Sequence, residues 1–320
     1  MTMADETFEW SGRIGEITLG ATPADGGTRS VAYRIGGESD LPFLGMECSK
    51  GSIPLIAFEL CDDPSFWSPI ITGYVGDLAH DTPAWAREAE EHYHPDLIRL
   101  YLTSTKIRGF NDFNSIGTRI REVLARTTLP LIIEGSNEPA IDSEVFQQCG
   151  EAGAGERLLL GTAEAGHYRS VAAAAMAYNH SVIAQSPIDI NLAKQLNILL
   201  REIGVPADRV MIDPYTGTLG YGFEYSYSVM ERIRFAALKG DTDLAMPMIS
   251  SAADSLTVKE VREADPLKRD EIAVKWEFYA ALSAAIAGAA IVCVRHPATI
   301  PMLKEAFGAL WTGRSIQGDE

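Results

Sequence analysis

Polar side chains stand at the ends of several short apolar runs, which is where α/β proteins commonly place their chemistry. Carboxylates, an amide and a histidine around one cavity could hold a polar heterocycle or a large cofactor that bears amides. The candidates, chosen by their position after an apolar run, are Glu59, Asp62, Asn137, Glu164, Ser186, Asp189, Asn191, Asp213 and His296.

A glycine-rich loop, TGTLGYG at residues 216–222, leads directly into a predicted helix. Gly220 and Gly222 permit positive φ and a close approach of the backbone to a ligand. Free N–H groups collect where the helix begins, near Glu224. Tyr221 lies between the two glycines, and we expect it to be exposed and to line a ligand or partner surface.

Several candidates also have a purely structural interpretation. Asp189 can cap the helix that begins beside Pro187, and Asp213 can bond its own turn before Pro214. His296 is a lone histidine, and such residues more often satisfy neighbouring backbone than bind a metal. No HxH or HExxH spacing supports a metal site, and no GxSxG supports a serine nucleophile.

Eight apolar runs alternate with eight segments of helical period along the chain. The runs are residues 55–60, 97–102, 130–134, 157–161, 181–185, 209–213, 244–249 and 290–295. The helical segments are residues 82–93, 112–127, 141–150, 167–179, 189–203, 224–239, 272–288 and 299–310. This alternation predicts an α/β fold, a closed (β/α)8 TIM barrel. A doubly wound open sheet is the alternative, but no glycine-rich phosphate fingerprint follows the first run.

The first fifty residues do not follow this alternation. Residues 14–19 and 30–35 flank a turn at Asp25-Gly26-Gly27, which predicts a β-hairpin. We expect residues 1–50 to close the amino-terminal mouth of a barrel built from residues 51–320. The connections after the first and seventh runs are long, and the second is equally consistent with a solvated helix and a lid.

Composition excludes several classes of function. The chain has 320 residues and a formal net charge of −17, so non-specific binding to nucleic acid is not expected. Its four cysteines are scattered without metal or cluster spacing, which indicates reduced thiols. The start has no features of a secretory signal, and the longest apolar stretch, 280–294, is too short to span a membrane. We therefore expect a cytoplasmic protein without a membrane partner.

Five runs carry a resemblance to a known family. They are GGTRS (26–30), LPF (41–43), SPIDINLAKQLNILL (186–200), IDPYTGTLGYGFEYSYSVMERIR (212–234) and VRHP (294–297). Together they resemble the small subunit of the corrinoid/iron–sulfur protein, also called the delta subunit of the acetyl-CoA decarbonylase/synthase complex. The resemblance extends over about residues 17–310. Between residues 250 and 276 the chain departs from the family, which usually carries a Trp-containing segment and a Gly-Trp-Gly element there.

The resemblance implies a barrel similar to pterin-binding methyltransferases that pairs with a large (gamma) subunit. In the family, the large subunit supplies the [4Fe–4S] cluster and the main corrinoid-binding domain, and the small subunit covers the corrinoid. The heterodimer carries a methyl group on cobalt from a methyl-tetrahydropterin to acetyl-CoA synthase in the reductive acetyl-CoA (Wood–Ljungdahl) pathway. The implied partners are therefore the large subunit, a methyltransferase and acetyl-CoA synthase, and the chain itself is a non-catalytic carrier.

The resemblance also implies that the corrinoid faces the barrel rim. Corrinoid side chains end in amides, which need donors and acceptors, so Ser186, Asn191 and the backbone of residues 220–222 are the expected contacts. The other candidate cofactor-binding residues are Asn137, Glu164, Asp189, Asp213, Tyr221, Glu224 and His296.

Two further functions stay open at the level of sequence. A free-standing pterin-dependent methyltransferase would hydrogen-bond the pterin ring through Asn137, Asn191 and Asp213, while a protein acid would assist at the pterin N5. A scaffold subunit would only maintain the quaternary structure of a complex.

Overall fold

Eight parallel strands form a closed barrel in the computed structural model, which describes residues 10–41 and 52–312. The strands are β3 (Leu55–Cys61), β4 (Leu97–Tyr101), β5 (Leu131–Glu134), β6 (Leu159–Ala163), β7 (Ser181–Gln185), β8 (Val210–Asp213), β9 (Met248–Ser251) and β10 (Ala289–Val294). Each strand pairs with the next along the chain, and β10 pairs with β3 to close the ring. The predicted (β/α)8 barrel is confirmed.

Helices surround the barrel and connect its strands. They are α2 (Thr82–Glu88), α3 (Phe113–Leu124), α4 (Pro139–Ala152), α5 (Tyr168–Ala177), α6 (Ile190–Glu202), α7 (Phe223–Leu238), α9 (Arg269–Ile286) and α10 (Thr299–Thr312). The two long connections contain the short helices α1 (Pro69–Val75) and α8 (Lys259–Arg262). The strand predicted at residues 244–249 begins only at Met248, because Pro247 has no N–H to give to a neighbouring strand.

Side chains alternate between the two faces of each strand. In β3, Ile56, Phe58 and Leu60 point outward into the core that the helices cover, whereas Ala57 points into the barrel. Because the strands are buried on both faces, they appear in the sequence as nearly continuous apolar runs. The inward-facing apolar side chains near the amino ends of the strands form a second core, which includes Ala57, Leu97, Ile132, Leu159, Ile183, Met211, Ile249 and Ile291.

An antiparallel hairpin lies against this second core. Its strands are β1 (Glu16–Leu19) and β2 (Tyr33–Gly36). Ile17, Leu19 and Ile35 are buried and pack among the inward-facing side chains at the amino-terminal end of the barrel. The division of the chain at residue 50 stays a prediction, because residues 42–51 lie outside the described residues.

A buried arginine fixes the connection between β1 and β2 to the barrel. The Nε of Arg29 pairs with Glu156 at 2.8 Å, and its Nη1 donates to the Thr127 carbonyl at 2.6 Å. Arg29 is almost fully buried, so these partners replace the water that the guanidinium loses. The hairpin is thus held by apolar contacts from its strands and by a buried ion pair from its connection.

We predict that Ile17→Ala destabilises the protein by roughly 2–5 kcal/mol, since it removes a fully buried side chain and leaves a cavity at the amino end of the barrel. Urea unfolding measures the change. The matched control is Ile53→Ala, since Ile53 is 45% exposed and we expect a loss of only about 0.5 kcal/mol there. Equal losses in the two variants would show that the hairpin does not depend on the barrel core.

Candidate functional site

Four charged side chains fill the interior of the barrel at its carboxyl end. We call Glu59, Arg99, Glu134 and Arg295 the ionic ladder, because they connect β10, β3, β4 and β5 in turn. Arg99 Nη1 donates to Glu59 Oε2 at 2.7 Å, and Arg295 Nε donates to Glu59 Oε1 at 2.9 Å. Arg99 Nη2 also pairs with the Glu134 carboxylate. Each member therefore has a partner of opposite charge on a neighbouring strand.

The ladder is almost closed to solvent. Its four side chains are between 2% and 9% exposed. Burial alone would raise the pKa of Glu59, but the guanidinium groups of Arg295 and Arg99 outweigh it, so the pKa of Glu59 lies below its ordinary value. Both carboxylate oxygens of Glu59 are consequently ionised acceptors at neutral pH.

Aromatic side chains cover the ladder on the side of the loops. The Trp67 ring lies 4.4 Å from the Arg295 guanidinium carbon, a cation–π contact. Tyr101 stands on β4 two residues beyond Arg99, and its hydroxyl accepts a hydrogen bond from Lys106 Nζ. Lys106 Nζ also lies 4.4 Å from the centre of the Tyr101 ring. These side chains cover the ladder, so the ladder does not line an open pocket.

The carboxyl-terminal opening of the barrel is called the mouth below. The half of the mouth opposite the ladder is organised around Asp213, the last residue of β8. Its Oδ2 accepts from Gln185 Nε2 at 2.8 Å, and its Oδ1 accepts from the Tyr215 N–H at 2.9 Å. Burial raises the pKa of Asp213, and the negative charge of Glu164 acts in the same direction. Asn137 reaches this half from the β5–α4 connection and accepts from the Thr162 hydroxyl at 2.7 Å.

Three loops on this half of the mouth hold a non-glycine residue at positive φ. The φ values are +67° for Asn137, +49° for Ile188 and +59° for Tyr215, each within three residues of a strand end. Such a backbone is costly, above all for a β-branched residue, and it tends to occur at functional sites. Tyr215 is fixed on both sides, because Ser226 Oγ donates to its carbonyl at 3.0 Å. The strained loops thus mark the half of the mouth formed by β5 to β8.

The glycine-rich loop forms the outer edge of this half. Gly220 and Gly222 have φ of +74° and +105°, so both glycines are required by the backbone. Tyr221 is exposed, as predicted, and its hydroxyl donates to Glu260 on α8 at 3.0 Å. The long connection after β9 is therefore linked to the loop. Glu224 is exposed in the first turn of α7.

The remaining predicted residues have structural contacts of their own. Asp189 caps α6, because its Oδ1 accepts from the Asn191 and Leu192 N–H groups. Asn191 itself is exposed in the first turn of that helix, whereas Ser186 is buried. His296 is fully buried, with its ring against Tyr74. The structure thus brings Asn137, Glu164 and Asp213 together, and it places Ser186 and His296 beneath the surface.

Sequence reasoning missed most of the groups that fill the mouth. Glu59 was a candidate, but Arg99, Glu134, Gln185, Tyr215 and Arg295 were not. A signal was present, since the apolar runs AFELC, LIRLY and LIIE each carry a charge at an inward-facing position. A charge in a strand that is buried on both faces requires a partner.

Three observations on the described residues concern cofactors and membranes. No group of three or more His, Cys, Asp and Glu side chains is arranged to hold a metal ion. Cys61, Cys149 and Cys293 are buried free thiols, and burial raises the pKa of each. None of the helices in these residues combines the length and apolar character needed to cross a lipid bilayer.

Residues 16–287 match the family model for the delta subunit of CO dehydrogenase/acetyl-CoA synthase. The chain belongs to this delta-subunit family. It is 34% identical to the acetyl-CoA decarbonylase/synthase complex subunit delta of Archaeoglobus fulgidus, over 97% of this chain and 71% of the relative. The corresponding subunit of Methanopyrus kandleri is 33% identical, over 96% of this chain and 78% of the relative. The resemblance found in the sequence is confirmed.

Solved dihydropteroate synthases share the fold of this delta-subunit family member. The enzyme of Coxiella burnetii, in complex with pteroic acid, has a TM-score of 0.58 at 16% identity, over 94% of this chain and all of that one. The Vibrio fischeri enzyme also gives a TM-score of 0.58 at 16% identity, over 80% of this chain and 93% of that one. At such identity the likeness shows the fold alone. Residues 250–276, where we expected a departure from the family pattern, lie within the range of the family match.

We predict that Arg99→Ala destabilises this delta subunit by about 3–5 kcal/mol, because it leaves Glu134 as a buried carboxylate without a cation. Thermal and urea unfolding measure the loss. Arg87→Ala is the matched control, since Arg87 of α2 pairs at the surface with Glu91, four residues further along the chain, and the loss of this pair should not be resolvable. A well-folded Arg99→Ala variant of wild-type stability would contradict the buried ladder.

We predict that His296 makes stability fall as the solution is acidified. Its Nδ1 accepts from the Ala298 N–H and its Nε2 lies 3.1 Å from Asp270 Oδ1, so the ring is a neutral Nε2–H tautomer. Burial lowers the pKa of His296 below its ordinary 6.5, despite the attraction of Asp270. The unfolded chain therefore takes up the proton first, and the stabilisation is complete above about pH 6.5 and lost as pH falls through the lower folded pKa.

The wild type is compared with the variant His296→Asn. The side-chain oxygen of the asparagine can accept from the Ala298 N–H, and the side chain does not titrate. Free energies of unfolding between about pH 7 and about pH 5 should fall more steeply for the wild type than for the variant. Burial raises the pKa of the neighbouring Glu277 to about 7, which gives the opposite slope, but this contribution is common to both proteins. Parallel curves would show that His296 is not the titrating group.

Proposed function

We propose that the chain is a non-catalytic carrier subunit that covers a corrinoid held mainly by a large partner subunit. Membership of the delta-subunit family supports a place in the acetyl-CoA decarbonylase/synthase complex. The proposed heterodimer receives a methyl group from a methyl-tetrahydropterin through a methyltransferase. It delivers the methyl group to acetyl-CoA synthase in the reductive acetyl-CoA pathway of the cytoplasm.

The observation that carries the proposal is a set of exposed apolar side chains at the carboxyl end of the barrel. Of twelve large hydrophobic side chains exposed among the described residues, eight lie in the βα connections or in the first helical turns after them. These eight are Phe66, Tyr74, Ile107, Leu192, Tyr215, Tyr221, Tyr225 and Leu267. We call this surface the carboxyl face. A soluble protein that concentrates apolar surface on one face commonly uses it for binding.

The carboxyl face suits a broad ligand better than a deeply inserted one. Beneath it, the ionic ladder and Tyr101 occupy the interior, so the mouth is shallow. Around it, Asn137, Glu164 and Asn191 are exposed or half-buried and offer both donors and acceptors. A corrinoid combines a flat ring with peripheral amides, and these residues would hold it at its edges. When bound, the corrinoid cobalt would carry the methyl group, and the chain's role would be to exclude water from it.

The proposal assigns the [4Fe–4S] cluster to the large subunit. The cysteines that the structure describes lie apart from one another, in β3, α4 and β10. Each is buried among apolar side chains and packs as a small hydrophobic residue. The barrel therefore contributes cover to the shared site and leaves electron transfer to its partner.

A pterin-dependent enzyme is the competing function for the same mouth, since the Coxiella burnetii dihydropteroate synthase is in complex with pteroic acid. Asp213 favours it, as a buried carboxylate at a strand end. Asn191 does not join Asn137 and Asp213, because it lies exposed in the first turn of α6, and the Oδ1 of Asn137 already accepts from the Thr162 hydroxyl. A scaffold is the third function, and it requires nothing of the carboxyl face beyond assembly.

We predict that the heterodimer with the large subunit retains corrinoid and that the isolated chain does not. Tyr221→Ser with Tyr225→Ser removes two aromatic rings from the carboxyl face and should let water reach the cobalt. The heterodimer carrying both changes should lose corrinoid, or oxidise Co(I) severalfold faster, by absorption spectroscopy. Tyr279→Ser is the matched control, since Tyr279 is an exposed tyrosine in the middle of α9.

Stoichiometric corrinoid on the isolated chain would show that covering is the wrong role. Unchanged corrinoid content and methyl transfer in an assembled Tyr221→Ser, Tyr225→Ser heterodimer would favour the scaffold.

A further inference from the structure

We infer that the ionic ladder is a specificity device that keeps flat heterocycles such as pterins out of the barrel. The inference concerns the interior of the mouth, whereas the proposed covering role concerns the surface above it. Either can therefore fail while the other stands.

The first step is steric. Glu59 lies two residues beyond Ala57, and Arg99 lies two residues beyond Leu97, so the ladder occupies the layer directly above the apolar core. A ring that entered the mouth on this side would meet side chains that are at most 9% exposed. A heterocycle that enters on the side of β10, β3, β4 and β5 must therefore displace a ladder residue, and on the other side it meets Asp213.

The second step is electrostatic. Arg99 is the central rung, because it bridges Glu59 and Glu134. Moving its guanidinium aside would leave Glu134 buried without a cation, and moving Glu59 would leave two guanidinium groups without their shared acceptor. Removal of one partner from a buried ion pair is far more costly than its formation is favourable. A neutral ring offers no charge that could replace either partner.

The third step concerns the polar anchor that a heterocycle would use. A carboxylate that recognises adjacent ring N–H groups must turn both oxygens toward the ring for a paired contact. In Asp213 one oxygen accepts from Gln185 and the other from the Tyr215 N–H. The positive charge of Arg99, a member of the ladder, also attracts the Asp213 carboxylate. The hydrogen bonds from Gln185 and from the Tyr215 N–H keep this carboxylate turned into the protein. The chain's own donors thus fix the orientation of this carboxylate, and a heterocycle would have to compete with Gln185 and the Tyr215 N–H for it.

The test titrates the purified full-length chain with pteroic acid and with 5-methyltetrahydrofolate by calorimetry. The wild type should show no saturable binding into the millimolar range. Arg99→Ala combined with Glu134→Gln removes one charge of each sign, leaves the Glu59–Arg295 pair intact and vacates the volume of the central rung. This variant should bind at least one of the two ligands about tenfold more tightly than the wild type, or more.

Arg87→Ala combined with Glu91→Gln is the matched control, because it removes an ion pair of the same composition from the exposed surface. It should bind no better than the wild type. Saturable submillimolar binding to the wild type would overturn the inference, and so would a folded Arg99→Ala, Glu134→Gln variant that gains no affinity. If that variant does not fold, the wild-type titration decides alone.

Discussion

The structure depends on the pairing of buried charges across adjacent strands. In the parallel register of the barrel, Glu59 lies beside Arg99, so the short distance between neighbouring strands lets their side chains meet inside. Neither charge could be buried alone, since desolvation would shift or expel it. The ladder therefore ties the register of β3 to that of β4. A slip of either strand by one residue would turn that strand's charge toward the helical layer and leave the other charge buried without its partner.

The helical layer supports the ladder from behind. Glu277, a fully buried residue of α9, accepts from the Arg295 N–H at 2.7 Å, from the His296 N–H at 3.1 Å and from the Thr299 hydroxyl at 2.6 Å. These bonds fix the turn between β10 and α10, and that turn aims Arg295 at Glu59. The amino-terminal half of the barrel has no such need, because the hairpin fills it with apolar side chains. The amino end of the barrel thus contributes to stability, and the carboxyl end holds the candidate site.

The sequence predicted those features that depend on local pattern. The alternation of apolar runs and helical segments was sufficient for the barrel, and Asp189 behaves as the helix cap that its position suggested. The ladder was not predicted, because its contacts join residues that are far apart in the chain. Arg99 and Glu59 are 40 positions apart, and Arg295 and Glu59 are 236 apart. For His296 the sequence showed a residue at a strand end, but its burial depends on Tyr74 in the connection after β3 and on Asp270 in the first turn of α9.

The strained loops are held in place by the buried groups beneath them. A residue such as Ile188 or Tyr215 keeps an unfavourable backbone only where the surroundings determine it, and here Asp213 and Ser226 hold Tyr215 from both sides. Because the interior below is filled, this strain does not shape a deep pocket. It presents Tyr215 and the glycine-rich loop outward, and the link from Tyr221 to Glu260 joins that loop to the long connection after β9. A barrel whose ladder fills part of its mouth and whose loops carry exposed apolar side chains fits the proposed role of covering a ligand that another molecule holds.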